Sequence, residues 1–217
     1  FIDSKNRVWV GTQFGISLFD PNRNSFITIS SATVLGGLLE SSVTSIQEDQ
    51  LGRLLVSAGH HLYYLNEESQ KFEVLIESPE NLIMTFIPAH NGLWYGLENG
   101  SVKFHSFYGD SLSNPVSEEL IEPRGMRVTG LVRRENSLWV GYESGGLARF
   151  DQKKKVVTYY MQTGPERHVS LLYLDRLNRL WSCDYAGLKL YNEQDDRFFG
   201  YYHDPAEDVW FDEGCAS

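Results

Sequence analysis

Residues that staple, ligate or anchor a chain are scarce here. Among 217 residues there are two cysteines, Cys183 and Cys215. A structural zinc site wants four closely spaced ligands, so no metal framework can be built on them. The pair leaves two readings open, one disulfide in an oxidising compartment or two buried thiols, and buried thiols are the expectation. No apolar run approaches the roughly 20 residues of a membrane helix, and no charged-then-apolar leader opens the chain, so direct membrane insertion by this segment is not expected. Clustered basic residues are missing as well. With 29 acidic against 19 basic residues the net charge is −10, and the run Lys153 to Lys155 falls in an expected strand-connecting turn. That balance argues against a nucleic-acid partner. Gly-x-Ser-x-Gly, His-Glu-x-x-His and phosphate-loop motifs are absent, and no cofactor is expected. Helical periodicity is absent beyond a few residues.

What the chain does have is repetition. Five segments share one pattern: RVWVGTQFGISLFD, RLLVSAGHHLYYLN, LWYGLENGSVKFH, SLWVGYESGGLARFD and RLWSCDYAGLKLYN. Each holds a strand around an anchor, a glycine-bearing turn, and a second strand that carries an aromatic residue near its end and, in all but the third, closes on Asp or Asn. The anchors Trp9, Leu55, Trp94, Trp139 and Trp181 are separated by 46, 39, 45 and 42 residues. A period near 40 to 45 with several short strands per unit predicts an all-β fold, a β-propeller of four-stranded antiparallel blades, because one such unit cannot bury its apolar faces alone. The whole chain reads as a single propeller domain or segment of five blades.

In the first copy, Val8 and Val10 fall on one face and Trp9 on the other, as in a strand buried on both sides. Gly15 suits the left-handed position of a tight hairpin, and Ser25 to Ile29 alternates as an outer strand. Inner strands read as Val43 to Ile46, Val128 to Leu131 and Val169 to Leu172. Asn6, Gly52, Gly92 and Asn178 stand just before the anchor strands, where residues tolerant of positive φ are wanted. Three departures stand out. His61 occupies the place of Gly15 and Gly187, so that hairpin is strained or differently built. Gly145-Gly146 adds one residue to the fourth turn. The third copy, with Lys103 at an apolar position, reads as an edge or partly exposed blade. Val34 to Leu39 and Ser111 to Glu122 read as the longest irregular stretches.

The stretch Asp3 to Asp20, echoed at Leu138 to Asp151 and Asp175 to Asn192, resembles the two-component regulator propeller repeat, which in gut Bacteroides-type bacteria builds the periplasmic sensor half of hybrid histidine kinases. The resemblance covers essentially the whole chain. It implies the periplasmic sensor region of an inner-membrane protein, non-catalytic in itself. It also implies an oligosaccharide ligand derived from polysaccharide, signalling through a homodimer, and adjacent blades or a second propeller of the same parent chain as neighbours. Family sets are larger, commonly seven-bladed, so these five blades read as part of a longer array. A closed five-bladed ring is the alternative, since Cys215 to Ser217 and Phe1 to Asp3 resemble two halves of one inner strand. In function the alternative is an extracytoplasmic lyase or hydrolase, or an adhesive scaffold acting on polysaccharide.

In a propeller the turns between second and third strands share a face with the loops leading into the first strands. Ligand-binding candidates there are His60, His61, Glu98, Arg127, Tyr142, Glu143, His168, Asp184, Tyr185 and Trp210. Arg124 belongs to the same neighbourhood. Rings stack on the C–H faces of sugars, while carboxylates and guanidinium groups fix hydroxyls or uronates. Trp210 lies outside the anchor register, whereas Trp9, Trp94, Trp139 and Trp181 read as core. His60 and His61 are adjacent and cannot both face one metal from a strand end. Glu98 and Glu143 occupy like turns and would be the carboxylates of an enzymatic reading. No catalytic or metal-binding residue is assigned.

Overall fold

A computed structural model describes residues 1–29, 41–108, 111–160, 168–185 and 187–200, with side chains for all of these but 108 and 111–117. Nineteen strands occur among them, in five antiparallel sheets whose neighbours follow chain order. The first sheet holds β1 (Trp9–Thr12), β2 (Gly15–Asp20) and β3 (Ser25–Ile29). The second holds β4 (Val43–Glu48), β5 (Leu54–Ala58), β6 (His61–Asn66) and β7 (Lys71–Glu77). The third is β8 (Ile83–Ala89), β9 (Gly92–Leu97), β10 (Val102–Tyr108) and β11 (Ser111–Ile121). β12 (Val128–Arg134), β13 (Ser137–Tyr142), β14 (Leu147–Asp151) and β15 (Val156–Tyr160) make the fourth. The fifth is β16 (Val169–Leu174), β17 (Leu180–Asp184), β18 (Gly187–Asn192) and β19 (Arg197–Gly200). These are propeller blades. In the first blade, which has three strands among the described residues, Phe1 and Trp9 exchange both backbone hydrogen bonds, at 2.8 and 2.9 Å, and Ile2 bridges Val8.

Contacts fall into two compact units, Phe1–Glu98 with Lys103–Glu119, and Asn99–Val102 with Leu120–Ser217. Inside each, the anchor face of one sheet packs on the sheet that follows. In the first unit Trp9 and Ile16 meet Leu54, Val56, Tyr63 and Phe72, and Leu55 and Leu62 meet Ile83, Phe86 and Tyr95. In the second, Trp139 and Leu147 meet Val169, Leu172, Leu180 and Tyr191. Fully burying each such side chain contributes roughly 1.5–3 kcal/mol, so the repeating anchors are the main source of cohesion between sheets.

Three of the five turns before the anchor strands share one device. Asp3, Asp49 and Asp175 each accept, through Oδ1, the backbone N–H groups two and four residues on, and through Oδ2 the Nε of the Arg four residues on. Trp9 and Trp181 add their indole N–H to the same Oδ2, at 2.8 and 3.0 Å. Asn6, Gly52 and Asn178 sit at the third step with φ of 59°, 74° and 60°. Burial alone would raise the Asp3 and Asp175 carboxyls. Hydrogen bonds from Trp and Arg side chains and from backbone N–H groups instead hold both below the usual range.

Each complete inner strand also carries a register shift at one place, between Val43 and Ser45, Ile83 and Thr85, Val128 and Gly130, and Val169 and Leu171. Such a bulge bends a strand and re-aims its side chains. Thr44, in the second sheet's bulge, reaches Ile83 O of the third at 2.8 Å.

Several expectations need correction. Gly92 does not have positive φ. The third and fourth sheets turn through the two residues His90-Asn91 and Glu135-Asn136, which leaves no place for the Asp-bearing turn. His61 is not strained, because Gly59 takes φ of 59° and the hairpin shifts around it. In the third blade β9 is buried at every residue, whereas β8 is largely half-buried and Glu118 and Glu119 of β11 are exposed, so the exposure of this blade is confined to its other strands. Val10 is 39% exposed, because only the Trp9 face of β1 is covered by the next sheet. Ser111–Ile121 is a strand rather than an irregular stretch, and its Pro115 sits on an outer strand, where a missing N–H is tolerated. Cys183 is fully buried and disulfide-bonded, where a free thiol was expected. Cys215, Trp210 and Val34 to Leu39 lie outside the described residues.

Candidate functional site

Hairpin turns and the loops leading into the inner strands meet at one end of each sheet, as the meander requires. In the first unit Glu98 N donates to Leu82 O at 3.0 Å and Ser78 N to His60 O at 2.8 Å. The His60 ring places Nδ1 2.9 Å from Ser78 O, and His61 Nε2 stands 3.9 Å from Glu77. The two histidines therefore serve different neighbours. In the second unit Glu143 N donates to Arg127 O at 3.0 Å. Tyr142 lies fully buried beside them, its ring 5.9 Å from the Arg124 guanidinium. His168 stacks on the exposed Tyr185 ring with centroids 4.3 Å apart and planes 17° from parallel. Asp184 is buried and lies 2.8 Å from Lys189 Nζ. Glu98 and Glu143 belong to different units. Among the described residues no group of three or more His, Cys, Asp and Glu is placed to hold a metal.

A cleft that sequence reasoning missed lies at the opposite strand ends of the second unit. About 320 Å³ in volume, it is lined by Arg134, Glu135, Ser137, Trp139, Arg149, Tyr191, Glu193 and Asp196. Arg149 comes from the middle of β14 and grips Asp196 with two nitrogens, at 2.8 and 3.2 Å. Tyr160 and Tyr191 donate their hydroxyls to the same carboxylate, at 2.9 and 2.5 Å. Arg134 holds Glu193 in a similar fork, at 3.1 and 3.3 Å. Burial first, then the hydrogen bond to Asp196, pushes the Tyr191 phenol up to about 12, and Tyr160 rises for the same reasons. Both phenols stay protonated donors at neutral pH. Burial would raise the Asp196 carboxyl, but the hydrogen bonds from Tyr191, Tyr160 and Arg149 hold it low.

The signal was present in the alignment of strands. Arg149 pairs with the anchor Trp139, and at the same register the first, second and fifth blades place Leu18, Tyr64 and Leu190. A guanidinium in a row of apolar and aromatic side chains marks where this blade departs from its copies. The first unit has a related cleft of about 360 Å³ between the Asp49 to Arg53 turn and the Ala89 to Asn91 turn. The cleft at Asp196 offers a phenol, an indole edge and forked charges, and the first unit's cleft offers two side-chain amides, the Arg53–Asp49 pair and a phenyl ring, groups that suit polar hydroxylated ligands. Neither brings a nucleophile against a base.

No family model and no curated protein matches the sequence. Solved structures do. The chain is similar to the extracellular domain assigned to a hybrid two-component system of B. thetaiotaomicron, at 20% identity and TM-score 0.75, over 92% of this chain and 29% of that one. A second extracellular domain of such a system, from the same organism, matches at 14% identity and TM-score 0.70, over 86% of this chain and 26% of that one. Virginiamycin B lyase from Staphylococcus aureus matches at 11% identity and TM-score 0.70, over 92% of this chain and 67% of that one. These likenesses show the propeller fold. The chain spans less than a third of the two extracellular domains it matches.

Proposed function

We propose that this chain is a non-catalytic, ligand-sensing propeller segment of an extracytoplasmic receptor belonging to a hybrid two-component sensor histidine kinase. In this reading it binds an oligosaccharide derived from polysaccharide. Ligand binding shifts the arrangement of a dimer, and the parent chain carries that shift across the membrane. The observation that carries the reading is the match of over 85% of the chain to two extracellular domains assigned to such systems. The disulfide-bonded Cys183 supports an oxidising compartment. The stacked His168–Tyr185 pair supplies an aromatic platform of the kind sugars use. A lyase is the second reading, favoured by the likeness to virginiamycin B lyase.

A thermal-shift screen against neutral and acidic oligosaccharides, followed by a product assay on every hit, tests both. Stabilisation without turnover is expected. Turnover that disappears in Glu98→Gln or Glu143→Gln would establish the enzymatic reading instead.

A further inference from the structure

Half-buried arginines in this chain come with acids. Arg7 pairs with Asp3 and Glu67, Arg53 with Asp49, Arg134 with Glu193, and Arg149 with Asp196. Arg124 breaks the pattern. Its guanidinium lies 3.9 Å over the Tyr159 ring and 5.9 Å from the Tyr142 ring, and among the described residues no carboxylate meets it. Its Nη1 is buried without a hydrogen-bond partner. Close by, Tyr142 Oη is buried and equally without one. Buried donors left unpaired cost free energy and are rare in folded proteins, so two in one place call for an explanation.

The chain itself shows what completes such a set. Around Asp196 stand one guanidinium and two phenols, with Arg149 5.5 Å over the Tyr160 ring and all three groups donating to the carboxylate. Arg124, Tyr142 and Tyr159 are the same three side-chain types, and among the described residues no carboxylate stands with them. Their surroundings are tightly built. Gly145 approaches Met126 so closely that a Cβ there would stand 2.8 Å from its Sδ, and Gly125 N and Arg124 N both donate to Asn99 O. Burial above all raises the Tyr142 phenol, which keeps it a neutral donor. Arg124 is half-buried and Tyr159 exposed, so the approach lies on the Tyr159 side.

We infer that Arg124 and Tyr142, with Tyr159 beneath the guanidinium, form a receptor site for the carboxylate of an acidic ligand. Resting on the sensing reading above, that ligand is a uronate-bearing sugar. One carboxylate oxygen accepts from Arg124 Nη1 and Tyr142 Oη, as Asp196 does from Arg149 and its two tyrosines.

The test is calorimetric titration of the protein with galacturonate oligomers and with their methyl esters, at low and high salt. Charged hydrogen bonds predict that the acid binds about tenfold more tightly than the ester at low salt, with a smaller margin at high salt. Tyr142→Phe and Arg124→Gln are each expected to erase the preference. Tyr142→Phe removes only a hydroxyl that has no partner, so its melting temperature should match or exceed that of the parent. Acid and ester binding alike, or a preference that survives both variants, would overturn the carboxylate site and leave sensing in place, because sugar still binds. Neutral oligosaccharides that bind where the acids do not would do the same. A protein that binds no sugar of either kind would overturn both readings.

Discussion

Trp9 donates its indole N–H to Asp3 Oδ2 at 2.8 Å, six residues back along the chain. The same carboxylate takes two backbone N–H groups and the Arg7 Nε. Asp3→Ala is therefore expected to destabilise the protein by about 2–4 kcal/mol in urea unfolding, since several buried donors lose their acceptor at once. In the second blade Leu55 stands where Trp9 does, so Asp49→Ala strands one donor fewer. Its cost should be smaller by about 1 kcal/mol. Equal losses at the two sites would mean that the indole bond contributes nothing.

Acid should loosen the joint between the first two blades. The Arg7 hydrogen bonds, foremost, and the Lys5 contact hold Glu67 at about 2 instead of its ordinary 4.5. A carboxyl depressed in the folded state contributes stability that is fully present above its unfolded value and is lost as pH falls through the folded one. Urea midpoints measured from pH 5 to pH 2 should therefore fall, and fall less steeply in Glu67→Gln. A variant that follows the parent's slope throughout would assign the acid sensitivity elsewhere.

Arg149→Leu restores the apolar residue that the first and fifth blades carry at this register. Alone it leaves Asp196 without its guanidinium, and a loss of about 1–2 kcal/mol is expected, moderated by the exposure of the carboxylate. Adding Asp196→Asn should recover about 1 kcal/mol of that loss if the two side chains act as a pair. Strict additivity in the double-mutant cycle would refute the coupling.

Two glycines in neighbouring loops separate backbone strain from close approach. Gly125 has φ of 67° with open space where an alanine methyl would stand, so Gly125→Ala should cost about 1–2 kcal/mol through conformation alone. At Gly145 the obstacle is the flexible end of Met126, and Gly145→Ala should cost less than about 1 kcal/mol as that side chain swings away. Thermal melts of the two variants rank them, and the opposite order would contradict this account.

Sequence periodicity reveals the blades because each anchor recurs where a sheet must pack on its neighbour, and Trp9, Trp94 and Trp139 are buried accordingly. It also locates the turns at Asn6, Gly52 and Asn178, where a positive φ restricts the choice of residue. It cannot rank the blades by burial. The best-preserved copies, the first and the fifth, carry exposed Val10 and exposed Leu171 and Tyr173, while the irregular third is buried throughout β9. Likeness to the repeat reports on strand pairing inside a blade, whereas burial depends on what covers it. The Arg149–Asp196 cleft is hidden from sequence reading because its partners are 47 residues apart and meet only through sheet packing. In the sequence Arg124 is one polar residue among many, since its want of a partner is a property of three dimensions.

The turn from Asp3 to Trp9 closes all its own hydrogen bonds to the carboxylate within seven residues, and Asp175 to Trp181 does so again. Such a turn can form early, before any neighbouring sheet is in place, because short loops close at little entropic cost. It is also heritable as a finished part. A gene duplication that copies those codons copies a working corner, so an array of this kind can lengthen by one unit without requiring compensating changes in the units already there.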